Sequence, residues 1–127
     1  MGPREQALRC PAMETLQRVI GGKWKISILF YISLLEERRF GQLKRSIAGI
    51  SESTLSKQLK ELVADGLIDR IDFNEVPPRV EYQLTERGES LKPLLLAMWD
   101  WSESSFDFTE EERERMSALR ASVQEKR

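Results

Sequence analysis

Histidine is absent from the sequence, and Cys10 is its only cysteine. The first absence excludes catalytic triads and general bases built on histidine, and it removes imidazole as a metal ligand. The second excludes an internal disulfide and, together with the first, leaves a structural zinc site without a ligand set. Catalysis would have to rely on carboxylates, lysine or tyrosine. The composition therefore argues against an enzyme, and we expect no cofactor and no metal.

Long apolar runs are also missing. None approaches the roughly 20 residues that a membrane-spanning helix needs, and the first residues lack the charged-then-apolar pattern of a signal peptide. We therefore expect a cytoplasmic protein that does not associate with a membrane. A length of 127 residues, 40% of them hydrophobic, fits a single domain over residues 1–127 with a core of its own.

Acidic and basic residues nearly balance, but they are unevenly distributed along the chain. Between Arg18 and Lys60 there are nine basic residues and three acidic ones, whereas residues 61–127 hold nine basic and sixteen acidic ones. Positive charge concentrated in one segment is typical of a nucleic-acid-binding protein. The alternative is that these charges only cover a solvated surface.

Residues 51–63 predict a helix with two different faces. Ser51 is suited to cap its N-terminus, and a buried stripe is expected from the spacing of Leu55, Leu59, Leu62 and Val63. The opposite face carries short hydroxyl side chains and lysines, namely Ser53, Ser56, Lys57 and Lys60. Hydroxyl groups can hydrogen-bond base edges in a major groove, and lysines neutralise phosphates. Taken alone, the pattern also fits an ordinary amphipathic surface helix.

The residues before this helix predict a helix-turn-helix. A first helix is expected to end at Gly21-Gly22, and a second opens near Lys23. A third, brief helix over residues 41–47 is followed by the short connection Ala48-Gly49-Ile50. Two short helices joined by a turn that contains glycine, the second with a polar outer face, are typical of a helix-turn-helix.

A β-hairpin is expected directly after the helix-turn-helix. Apolar and polar residues alternate over 68–73 and again over 79–84, and Pro77 and Pro78 lie between the two runs. A hairpin in this position is the wing of a winged helix, here about residues 68–84. Arg79, at its tip, is expected to reach the adjacent minor groove or a phosphate.

The C-terminal part, about residues 86–123, predicts further helices. In the segment after Gly88, apolar residues cover far more than a third of the helix circumference. This indicates burial on two sides, one against its own domain and one against a partner chain. The alternative is a helix central to a single core. We favour a homodimer, with an interface formed by Leu94, Leu95, Met98 and Trp101.

Short segments between Cys10 and about Trp101 carry a family resemblance. They are Cys10-Pro11, Ile20-Gly21-Gly22-Lys23-Trp24, Arg39-Phe40, Gly49-Ile50-Ser51, Leu55 with Leu59 and Leu62, Gly66-Leu67-Ile68, Arg70, Pro77-Pro78-Arg79-Val80-Glu81-Tyr82, and Leu84-Thr85 with Gly88. With them the chain resembles the HxlR-type winged-helix transcription regulators of bacteria and archaea. The resemblance implies an α+β fold: a winged helix-turn-helix domain with N-terminal and C-terminal dimerisation helices. It also implies a homodimer that binds palindromic operator DNA, and a role for Cys10 in sensing oxidants or electrophiles.

The sequence therefore predicts a sequence-specific DNA-binding transcriptional regulator that acts as a homodimeric repressor. The expected DNA contacts are Lys23, Lys25, Arg39, Ser51, Ser53, Thr54, Ser56, Lys57, Lys60 and Arg79. Cys10 is the candidate sensor, and positive charge from Arg9 and a helix start would favour its reactive thiolate. The alternative for Cys10 is a small apolar packing residue. The alternative for the whole chain is a winged-helix module that binds another protein, without sequence-specific DNA binding.

Overall fold

The computed structural model describes residues 7–125 as an α+β fold, which confirms the predicted class. In chain order its elements are α1 (Pro11–Ile20), α2 (Lys25–Ser33), α3 (Phe40–Ser46), α4 (Glu52–Ala64), β1 (Ile68–Asp72), β2 (Val80–Leu84), α5 (Glu86–Glu89), α6 (Lys92–Ser105) and α7 (Glu110–Glu125). The second predicted helix begins at Lys25 rather than Lys23, and the third begins at Phe40 rather than Gly41.

The core lies where α2, α3 and α4 meet the start of β1. Ile28, Leu43, Leu55 and Leu59 are fully buried there, as is Ile68. The predicted stripe of α4 is confirmed for its three leucines. The prediction was wrong for Val63, which lies well to one side of the leucines on the helix circumference and is 37% exposed.

α3 and α4 form the predicted helix-turn-helix. Their connection passes through Gly49, whose φ of +82° places it in the left-handed region that side chains rarely adopt. Ile50 is buried beneath the connection, and Ser51 then opens α4. A glycine in the turn thus lets the chain reverse direction while both helices keep their apolar faces on the core.

β1 and β2 pair antiparallel and form the wing. Ile68 lies opposite Leu84, and Arg70 lies opposite Tyr82. The Tyr82 N–H donates a hydrogen bond of 2.7 Å to the carbonyl of Arg38, which attaches the hairpin to the connection between α2 and α3. The wing is therefore held at the side of the helix-turn-helix.

The helix predicted after Gly88 is split into α5 and α6. Thr85 caps α5, because its Oγ1 accepts the N–H of Gly88. A Cβ at Gly88 would lie 2.1 Å from the carbonyl oxygen of Leu67, so this close approach requires glycine. α6 then begins with Pro93 in its first turn, where a missing N–H costs no helical hydrogen bond.

Arg120 fastens the last helix to α6. Its guanidinium donates to Asp100 at 2.6 Å and to Glu103 at 2.7 Å, and it lies 4.3 Å from the ring centroid of Trp99. α7 starts with a reciprocal cap, in which the Glu112 carboxylate accepts the N–H of Thr109 and the Thr109 hydroxyl accepts the N–H of Glu112. These contacts set α7 against α6.

Candidate nucleic-acid interface

The N-terminus of α4 is capped as the sequence predicts. Ser51 Oγ accepts the N–H of Thr54 at 3.1 Å and also contacts the Thr54 hydroxyl at 2.9 Å. Ser53 Oγ lies 3.3 Å from Ser51 Oγ and is exposed. The hydroxyls of Ser51 and Thr54 therefore hold the helix end together, whereas Ser53 projects from its first turn.

The outer face of α4 is polar and positively charged. Ser53, Lys57 and Lys60 are exposed, and Ser56 is half-buried at the edge of this face. Within residues 7–125 neither Lys57 nor Lys60 forms an ion pair. Both ammonium groups thus remain available to a phosphate, and one helix carries them together with the hydroxyl of Ser53.

Lys25 does not belong to this face. Its Nζ lies 3.3 Å from the carbonyl oxygen of Arg18 and 3.7 Å from the carboxylate of Glu61, and only 9% of its side chain is exposed. A buried ammonium group that already has two oxygen partners is poorly suited to bind a phosphate. Its expected role as a DNA contact is corrected to a structural one, which joins α1, α2 and α4.

Lys23 and Arg39 both remain on the surface. Lys23 Nζ lies 4.8 Å from the ring centroid of Trp24, in a cation–π contact just before α2. Arg39 precedes α3, and its backbone N–H donates to Gln42 Oε1 at 3.1 Å. Neither residue is on α4, so each would contact DNA from the flanks of the helix-turn-helix.

Arg79 is engaged within the wing. Its Nε lies 2.8 Å from Glu81 and its Nη1 lies 3.4 Å from Glu75, while the guanidinium stacks 3.9 Å from the ring centroid of Phe73. The hydrogen bond to Glu81 raises the pKa of Arg79 further above its ordinary value. Two carboxylates therefore already neutralise the charge that was expected to reach the minor groove.

A second cation of the wing was not predicted as a DNA contact. Arg70 is exposed on β1, and it lines a cleft between α4 and the base of the wing. The alternation of residues 68–73 predicts the strand, but the cleft depends on the pairing of Arg70 with Tyr82 and on the packing of β1 against α4. No local pattern in the sequence carries that information.

Cys10 is exposed immediately before α1. Pro11 occupies the first turn of the helix, and the ion pair of Arg9 with Glu14 at 2.8 Å lies next to the cysteine in the chain. The packing alternative required a buried thiol, and the structure does not place Cys10 in the core. An exposed position is a requirement for a thiol that reacts with oxidants.

An apolar groove lies between α2 and α6, with a volume of about 570 Å³. Trp101, which is 64% exposed, and the half-buried Met98 line it, and Leu94 is exposed on the same helix. Leu95 is only 5% exposed and belongs to the core of its own chain. Its expected place in a dimer interface is therefore corrected, because its side chain is already buried.

Within residues 7–125 no cluster of carboxylate and cysteine side chains could hold a metal ion. No helix in that range is long and apolar enough to cross a membrane.

Comparison with known proteins gives consistent matches. A sequence model of the HxlR-like helix-turn-helix family matches residues 19–110. YybR, an HTH-type transcriptional regulator of Bacillus subtilis (strain 168), is 46% identical over 104 residues, which cover 82% of this chain and 82% of YybR.

Two regulators of known structure are also similar to this chain. The redox regulator HypR in its oxidised form has a TM-score of 0.68 and 41% identity, with 78% of this chain and 100% of HypR covered. The reduced form of the transcriptional regulator YodB from B. subtilis has a TM-score of 0.64 and 29% identity, with 79% of this chain and 97% of YodB covered. These matches confirm the resemblance seen in the sequence, including the winged helix and the expectation that the protein is not an enzyme. The chain belongs to the HxlR-like helix-turn-helix family of transcriptional regulators.

Proposed function

We propose that the protein is a homodimeric repressor that binds double-stranded operator DNA sequence-specifically through α4. The observation that carries this proposal is the outer face of α4, where Ser53, Lys57 and Lys60 are exposed. A helix of this kind fits a major groove, which is about 12 Å wide. Binding to chromosomal DNA also implies that the protein acts in the cytoplasm.

The side chains of α4 divide into two roles. Ser53 has a short hydroxyl in the first turn and is suited to read a base edge. Lys57 and Lys60 have long, flexible side chains whose charge suits backbone phosphates, and such contacts carry no sequence information. Specificity should therefore depend on the hydroxyl, and salt-dependent affinity on the lysines.

The groove between α2 and α6 supports a homodimer. Trp101 and Leu94 expose apolar surface beside a cavity lined by Met98 and Phe30. Covering this surface with a second copy would remove it from water, and a two-fold axis would pair the two α4 helices. Paired helices in successive major grooves require half-sites about 34–36 Å apart, and therefore a palindromic operator.

Selection of bound fragments from a random DNA pool tests the proposal. The wild type should enrich a palindrome, and Ser53→Ala should relax the preference for one base pair by about 1–3 kcal/mol. Lys57→Ala should weaken selected and random DNA alike. Enrichment of no sequence, together with affinity that does not depend on salt, would favour the alternative of a protein-binding module.

The sign of regulation needs a separate measurement. A dimer bound over a promoter excludes the polymerase, so transcription in vitro from a template that carries the selected palindrome should fall as protein is added. A rise in transcript would contradict repression while leaving operator binding intact.

A redox response through Cys10 is the second part of the proposal. Its exposure before α1 supports it, as does the similarity to HypR, whose structures are described as oxidised and reduced forms of a redox regulator. Hydrogen peroxide or a quinone should change operator affinity in the wild type but not in Cys10→Ser. With one cysteine in the chain, oxidation must end in a disulfide between protomers, a mixed disulfide with a small thiol, or a sulfur oxyacid. An equal response of both proteins would exclude Cys10 as the sensor.

A further inference from the structure

A cleft of about 310 Å³ separates α4 from the base of the wing. It is lined by Phe40, Ser56, Lys60, Val63, Arg70 and Tyr82. Its position between the helix expected in a major groove and the hairpin beside it makes it a candidate contact for the DNA strand between the two.

Two regular elements build the cleft. Ser56, Lys60 and Val63 follow one another at four and three residues and so share one edge of α4. Arg70 and Tyr82 are directly opposite in the hairpin, so their side chains lie on the same face of the ladder. Both walls are fixed by main-chain geometry, which positions the polar groups before any ligand binds.

The cations of the cleft are not neutralised by the protein. Within the described range of residues 7–125, neither Lys60 nor Arg70 pairs with a carboxylate. Asp72 lies on the same face of β1 and accepts the N–H of Asn74 at 2.8 Å. Arg79, by contrast, is held by two carboxylates. The free positive charge of the wing therefore lies at its base and not at its tip.

We propose that this cleft binds a backbone phosphate of the duplex, with Arg70 and Lys60 as its cations and the hydroxyls of Ser56 and Tyr82 as further donors. Guanidinium, ammonium and hydroxyl groups together match the oxygens of a phosphate. One sugar-phosphate strand separates a major groove from the adjacent minor groove. If α4 lies in the major groove and the wing lies beside the minor groove, the sugar-phosphate strand between the two grooves must pass over the cleft.

The proposal rests on the proposed DNA binding by α4, and it adds Arg70 as a contact that the wing supplies. A free phosphate-bearing molecule is the other source of the same chemistry. The backbone is favoured because the cleft opens beside the DNA-facing helix and Lys60 belongs to both surfaces.

The test compares full-length wild type with Arg70→Gln, Arg70→Lys and Arg113→Gln in salt titrations of binding to a random-sequence duplex. Arg113 lies on α7, outside the cleft, so its substitution matches the loss of charge. Each lost phosphate contact should reduce the slope of log affinity against log salt by about 0.9, and so by about 1.8 for a dimer. Arg70→Lys should keep the salt slope of the wild type, because the positive charge is retained. It should bind DNA more weakly, because lysine cannot make the planar bidentate contact of a guanidinium with a phosphate.

An Arg70→Gln slope equal to that of the wild type would overturn the cleft as a phosphate site while leaving the proposed function intact. A wild type without affinity for duplex would overturn both. Titration of inorganic phosphate at constant ionic strength separates the two sources. Binding of inorganic phosphate that Arg70→Gln abolishes, with an unchanged DNA slope, would overturn the backbone assignment. Each variant should unfold thermally at the same temperature as the wild type. Tyr82→Phe, which removes only the hydroxyl, should also weaken DNA binding.

Discussion

Arg79 and Glu81 are two residues apart on the same face of the wing, and their side chains meet at 2.8 Å. The pair connects Arg79, which was expected to reach DNA, to a carboxylate of β2. Glu75 approaches the same guanidinium from the tip at 3.4 Å. The wing therefore presents a neutralised tip to the solvent, and a change at Glu81 should alter how it meets a polyanion.

Glu81→Gln should increase affinity for duplex DNA. The change removes one negative charge from the wing and weakens the hold on Arg79. A partly exposed pair at the surface is worth about 0.2–1 kcal/mol, so a gain of roughly 1.4- to fivefold at low salt is expected in a fluorescence-anisotropy titration. Glu111→Gln is the matched control, because Glu111 also pairs with an arginine but lies on α7. If Glu81→Gln and the wild type bound duplex DNA with equal affinity, the Arg79–Glu81 ion pair would not weaken DNA binding by the wing.

Ser51→Ala should destabilise the fold by about 1 kcal/mol. The substitution leaves the Thr54 N–H without its cap at the start of α4, a loss that typically costs about 0.5–2 kcal/mol. Urea unfolding at a fixed protein concentration measures it. Ser53→Ala, in the same turn, should stay within about 0.5 kcal/mol of the wild type. A larger effect at position 53 than at position 51 would contradict the assignment of the cap.

Trp101→Glu should disrupt the dimer, whereas Leu95→Ala should destabilise the fold. A charge at the exposed Trp101 should yield a folded monomer in analytical ultracentrifugation, because it disfavours covering the apolar groove. Truncation of the buried Leu95 should instead lower the free energy of unfolding by about 2–5 kcal/mol, through the cavity left in the core. A wild type that sediments as a monomer at micromolar concentration would exclude the dimer. If Leu95→Ala were monomeric and as stable as the wild type, Leu95 would belong to the dimer interface and not to the core.

The cap of α7 should respond to acid. The backbone N–H of Thr109 holds the pKa of Glu112 below its ordinary value. A lowered folded-state pKa stabilises the fold at pH values above the ordinary value for a glutamate, and this contribution is lost as the pH falls through the lower value. Wild type should therefore exceed Glu112→Gln in stability at neutral pH, and the difference should shrink towards acid. Urea unfolding of both proteins, followed across pH, measures this difference.

Local patterns were sufficient to predict the elements that position the site. The spacing of Leu55 and Leu59, the cap at Ser51 and the alternation around Tyr82 depend on neighbours within a turn or a strand. These features follow from helix and strand geometry alone. The helix-turn-helix and the wing could therefore be recognised before the structure was known.

The errors concern residues whose environment is set by distant parts of the chain. Lys25 is buried because Glu61, 36 positions later, is brought beside it by the packing of α2 on α4. Arg70 gains its place in the cleft through its pairing with Tyr82. Leu95 and Trp101 have the same apolar character in the sequence, and only the packing of α6 decides which of them is buried.

Methylation protection of a selected duplex tests the central claim most directly. Dimethyl sulfate modifies guanine at N7, which lies in the major groove, and adenine at N3, which lies in the minor groove. With α4 of each protomer in a major groove, the wild type should protect guanine N7 in two patches about 10 base pairs apart. Guanine N7 that stays fully reactive on DNA saturated with protein would contradict the account.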